Sequence, residues 1–177
     1  MKTKNVSRGA AIALVLGAAG GTALSAQDKY TLQLPNGVPF SDFKGYEGWQ
    51  LVSVAQTDER LKVMVANPTM IDAYKAGVPG NGQLFPDGSK IAKLQWNPKK
   101  STEAPFVVDV PDTFAQAFFM EKDAKRFPAS GGWGYALFNY TAASDAFAAD
   151  PAPADCGHTC HVAVKAKDHI FHPYQKR

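Results

Sequence analysis

Residues Trp49 to Ala66 read WQLVSVAQTDERLKVMVA, and this stretch decides the fold. Trp49 to Gln56 is β-branched and partly alternating, which predicts a strand. Thr57 to Glu59 is a polar turn. Beyond it Leu61, Val63 and Val65 alternate with Lys62, Met64 and Ala66, so a second strand follows as the hairpin partner of the first. Downstream, Asn67-Pro68 opens a helix by the usual rules, with asparagine as cap and proline in the first turn. Met70, Ile71 and Tyr74 supply its inward face, and Gly77 stops it. Val78 to Ser89 is a Gly- and Pro-dense loop, ending in the turn Pro86-Asp87-Gly88.

Lys90 to Trp96 (KIAKLQW) is the next strand, with Ile91, Lys93 and Gln95 on one face and Ala92, Leu94 and Trp96 on the other. Lys90 therefore points away from Lys93. Asn97 to Pro105 reads as a polar loop, Phe106 to Val110 as a strand, and Ala115 to Lys122 as a strand on its aromatic content. Asp123 to Phe127 reads as a turn of helix. Trp133 to Tyr140 (WGYALFNY) is the most aromatic strand. Gln27 to Gly45 reads as a polar arm, and Thr141 to Asp155 as a surface linker rich in Ala, Pro and Asp. The expected fold class is α+β, mainly antiparallel sheet with a few short helices.

The linker leads to Cys156-Gly157-His158-Thr159-Cys160-His161, which holds both cysteines of the chain. All four histidines, His158, His161, His169 and His172, lie in the last 20 residues. Two cysteines followed directly by a histidine are the pattern of c-type haem attachment: the thiols form thioethers and the imidazole becomes the proximal iron ligand. Three residues separate these cysteines where the usual motif has two, but positions four apart still share a helix face. Cys156, Cys160 and His161 are thus the candidate haem-binding residues, with His161 the metal ligand. A disulfide between the cysteines and a zinc site are the alternatives. A methionine (Met64, Met70 or Met120) or a second histidine (His169 or His172) on the iron would make the protein an electron carrier. An apolar pocket is expected from residues such as Phe118, Phe119 or Trp133.

Residues 1–26 read as a cleaved secretory signal, with Lys2, Lys4 and Arg8 before an apolar run too short to span a membrane confidently. Residues 27–177 then form a single haem domain. Cleavage removes three of the 19 basic residues and none of the 16 acidic ones, leaving 16 against 16. A neutral mature chain gives no reason to expect nucleic acid or an anionic membrane as partner.

The chain also resembles the cytochrome P-460 family, together with its relative, the beta type of cytochrome c-prime. The resemblance rests on Tyr46 to Trp49, Asn67-Pro68, Pro86-Asp87-Gly88 with Lys93 after it, Lys122-Asp123, Arg126-Phe127, Gly132 to Tyr135, Cys160-His161, and Asp168 with Phe171. It implies an antiparallel sheet, a periplasmic homodimer and a five-coordinate haem c with an open distal site. It also implies hydroxylamine oxidation, nitric oxide binding and an external redox partner such as another cytochrome. P-460 members carry a bond from a lysine to the haem macrocycle; c-prime beta members lack it and bind gases without turnover. Lys93 matches that lysine and Lys62 the family's basic distal residue, so these two are the candidate catalytic residues. Glu121 and Asp155 are the carboxylates considered for the distal site.

Overall fold

A computed structural model describes residues 27–35, 37–151 and 153–175, with the backbone alone for 153–156. The expected signal segment, 1–26, lies outside the described residues. Six strands form one antiparallel sheet in sequence order: β1 (Gln50–Thr57), β2 (Arg60–Ala66), β3 (Lys90–Lys100), β4 (Asp109–Lys122), β5 (Trp133–Thr141) and β6 (Ala146–Ala149). Helix α1 (Pro68–Lys75) follows β2, and α2 (Pro153–His161) follows β6. The expected mainly antiparallel α+β architecture is the one observed.

The first hairpin forms as its alternation predicts, with a bulge between Leu51 and Ser53. Asn67 caps α1: its Oδ1 accepts from Met70 N at 3.1 Å and also from Lys90 N at 3.0 Å. The cap thereby ties the helix start to the first residue of β3.

Three expectations need correction. The loop assigned to Asn97 to Pro105 is strand as far as Lys100, and Phe106 to Val108 is not strand. Pro98 lies opposite Pro111, beside breaks in the β3–β4 register, which is where a sheet tolerates a residue without an N–H. The linker Thr141 to Asp155 contains β6, which pairs with β5 from Thr141↔Ala146 to Phe138↔Ala149. The arm Gln27 to Gly45 is not merely polar: Leu34, Val38, Phe40 and Phe43 are buried in the core.

Period-two alternation divides the strands between two layers. Ala92, Leu94, Ala117, Phe119, Ala136 and Phe138 face one way and meet the arm. Phe43 stacks on Phe119 with ring centroids 4.1 Å apart, and Phe40 meets Phe119 and Phe138 edge-on or tilted. Met64, Ile91, Met120 and Tyr135 face the other way, toward α1 and the C-terminal tail. The tail is tied down by Gln175 N donating to Val52 O and by Tyr74 Oη donating to His172 O.

Candidate functional site

Register places the site's side chains in three rows across the second face. Ile91, Met120 and Tyr135 form the first row, and Met64, Lys93, Phe118 and Leu137 the second. Lys62, Gln95, Gln116 and Asn139 form the third. The rows run from apolar through mixed to polar. The tail closes over them with Gly157, Cys160, His161, Ile170, Phe171 and His172, leaving a cavity of about 370 Å³ that also reaches Asp150.

Helix α2 lies on β5. Gly157 permits the close approach, since a Cβ there would meet the Tyr135 ring at 2.7 Å. The helix is continuous over Pro153–His161, so positions 156 and 160 fall about one turn apart on one face. The inserted residue between the cysteines is absorbed as helix. Cys160 is a free thiol on the cavity wall; the Cys156 side chain lies outside the described residues.

His161 is also on the wall, and its Nδ1 lies 2.6 Å from His169 O. A carbonyl can only accept, so Nδ1 carries the proton and Nε2 keeps its lone pair. Burial, with Lys93 nearby, holds this imidazole below its ordinary pKa and hence neutral. A neutral, oriented imidazole is what a metal ligand requires.

Lys93 lies between Met64 and Phe118, with Nζ 3.9 Å from the Phe118 ring centroid. Burial lowers its pKa, and the charge of Lys62 lowers it further. Lys62 is one row away, opposite Gln95, and bears on the cavity through its charge. Lys90 is on the opposite face, ion-paired to Glu121 at 3.1 Å, as alternation requires.

Glu121 therefore cannot serve this cavity: it is shared by Lys90 and Arg126 beneath the arm. The side chain of Asp155 lies outside the described residues. Among the described residues Asp150, which nothing in the sequence singles out, is the carboxylate on the wall. Gln116 Nε2 donates to Asn139 Oδ1 at 2.7 Å, and Asn139 Nδ2 donates to Asp150 Oδ2 at 3.2 Å. Its signal in the sequence is weak because β6, which delivers it, is mostly alanine and reads as linker.

Of the expected pocket aromatics, Phe118 and Phe119 both line the cavity, and Trp133 does not. Phe119 points its ring into the other core, and Trp133 packs near Phe85 and donates Nε1–H to Asp168. Met64 and Met120 line the cavity, while Met70 is in the core. His172 shares the cavity with His161; His169 contributes its carbonyl, and His158 stands off the wall beside Tyr135. Among the described residues no three His, Cys, Asp or Glu side chains group as a metal site, so the zinc alternative finds no ligand set there.

The cavity suits a haem in its lining as well, which is mostly apolar side chain. An apolar cavity walled by a cysteine and a neutral histidine from one helix defines a class, the haem-binding cytochromes. Within that class the chain belongs to the Cytochrome P460 family, whose model matches residues 43–172, most of the chain. No curated protein matches it.

Proposed function

We propose that the protein is an exported mono-haem c-type cytochrome that oxidises hydroxylamine and binds nitric oxide at an open haem site. Cys156 and Cys160 would hold the haem by thioethers, and His161 would ligate the iron from the proximal side. When bound, the haem supplies a redox-active iron that accepts electrons from a nitrogen substrate and passes them to an external acceptor such as another cytochrome.

The single observation that carries the enzymatic reading is Lys93, an amine with lowered pKa on the same cavity wall as Cys160 and His161. A lowered pKa brings the neutral, nucleophilic form of the amine closer to reach, and a strand position fixes it at high effective concentration against whatever fills the cavity. That suits the lysine–macrocycle bond of P-460 cytochromes better than the bondless c-prime beta kind. Asp150, fixed by Asn139, is the base for protons released by hydroxylamine. His172 stands on the cavity wall, and Lys62, one row away, acts on Lys93 through its charge. The setting would be periplasmic, and the assembly a homodimer.

The test is the optical spectrum and intact mass of mature protein from a host that makes c-type haem. Wild type should keep its haem through acid–acetone extraction and show a main band shifted far to the red. Its mass should fall below simple haem addition by the hydrogens that an external two-electron oxidant removes when a nitrogen–carbon bond replaces one N–H and one C–H. Lys93→Ala should keep the haem, revert to an ordinary c-type spectrum, and lose hydroxylamine-dependent reduction of an acceptor while still binding nitric oxide. Identical spectra for the two would refute the bond.

A further inference from the structure

Asp168 and His169 are consecutive non-glycine residues with left-handed backbone, φ 48° and 63°. Such residues are uncommon, and two in a row persist only where the surroundings over-determine them. Asp168 is what determines them here. Its side chain is 2% exposed and accepts three hydrogen bonds from three separate parts of the fold. Lys122 Nζ, at the end of β4, donates to Oδ1 at 2.7 Å; Trp133 Nε1, at the start of β5, donates to Oδ1 at 3.1 Å. Phe85 N, in the loop before β3, donates to Oδ2 at 2.8 Å.

The next residue is His169, whose carbonyl receives Nδ1–H of His161. The His169 ring is wedged in turn: a Cβ on Gly131 would meet its Nε2 at 2.5 Å. Lys122 Nζ also donates to Gly131 O at 2.9 Å, so the ion pair and the glycine turn clamp the same two residues from both sides.

We propose that Asp168, held by Lys122 and Trp133, is a positioning residue for the iron ligand: it locks the left-handed turn that aims the His169 carbonyl at His161 Nδ1. This rests on the haem reading above for its redox consequence, but not for its geometry. A carbonyl accepting from Nδ1–H makes the other ring nitrogen a stronger donor to a metal. A stronger donor favours the ferric over the ferrous state, so loosening the carbonyl should raise the reduction potential.

The experiment has two readouts. In haem-free protein, ¹⁵N chemical shifts of His161 should report a fixed Nδ1–H tautomer in wild type and a mixture in Asp168→Asn and Trp133→Phe. In haem-loaded protein, both variants should keep the haem covalently and raise the potential. Asp168→Asn should shift the ferric-to-ferrous balance about tenfold, or about 59 mV for one electron, and Trp133→Phe by less. Lys90→Met, which breaks the ion pair with Glu121 on the opposite face, is the control for general destabilisation and should leave tautomer and potential unchanged. Unchanged tautomer and potential in Asp168→Asn and Trp133→Phe would overturn the proposal, as would an equal shift in Lys90→Met. If Asp168→Asn does not fold, Trp133→Phe decides by the same two measurements. If wild type takes up no haem, the haem reading fails, while the haem-free tautomer still tests the turn.

Discussion

The two faces of this sheet are built from the same strands, often from adjacent residues, and they end up doing opposite things. Phe119 and Phe118 are neighbours on β4. Phe119 is 1% exposed and stacked on Phe43; Phe118 is half-buried, with a lysine amine over its ring. The difference comes from what each chain terminus brings. The N-terminal arm brings Val38, Phe40, Phe43 and Tyr46 and buries its face under them. The C-terminal tail brings histidines, a cysteine and a glycine, and leaves a cavity. One face stores stability, and the other leaves room for a cofactor.

The largest expected effect breaks the filled face. Phe119→Ala should cost about 3–5 kcal/mol, the range for deleting a buried aromatic side chain. Phe118→Ala should cost clearly less, because its ring already borders open space and its removal leaves little new cavity. Urea unfolding of the haem-free protein checks both, and equal losses would erase the distinction between the faces.

A smaller effect, of opposite sign, sharpens it on the cavity face. The Lys93 pKa is lowered in the folded state by burial, so the unfolded chain holds the proton more tightly. Below the ordinary lysine pKa of about 10.4 that linkage favours unfolding. Lys93→Met should therefore raise the melting temperature of haem-free protein by a few degrees at neutral pH. The gain should shrink as pH rises toward the lysine range. Calorimetry at pH 7 and pH 10 checks the sign.

The smallest effect concerns the arm. Lys29 Nζ lies 4.8 to 5.9 Å from the ring centroids of Tyr46, Tyr30, Phe40 and Phe147, and pairs with Glu47. Lys29→Met should cost about 0.5–1 kcal/mol, the worth of a partly exposed cation–π contact. Amide exchange in residues 27–35 should quicken before the sheet is affected.

Much of this was legible in the sequence because a strand's side chains obey parity. The opposite headings of Lys90 and Lys93 follow from a three-residue offset, and the hairpin at Trp49 to Ala66 from its alternation. Parity also sends the Phe118 and Phe119 rings to opposite faces, although both residues line the cavity. What was not legible had local signals pointing elsewhere. Pro98 and Pro111 look like loop residues until they are seen facing each other across a register break. The alanines of β6 carry no strand signature, so Asp150 at its end went unplaced. The buried phenylalanines of the arm sit among Pro, Gly and polar residues that read as linker. Asp168 drew notice through the family resemblance, but its three donors come from positions 85, 122 and 133, a convergence only the folded chain displays.

The strand order itself has a kinetic consequence. Every strand pairs with its sequence neighbour, so the sheet can zip up through successive short hairpin closures. Among the described residues the arm and the tail travel farthest: Gln27 to reach Phe147, and Gln175 to reach Val52. These long closures cost the most chain entropy for the contacts they make. The C-terminal one is also the step that swings the cysteine–histidine helix onto a finished sheet. A chain that has completed everything except that last closure would still present this helix outward, with the cavity wall waiting.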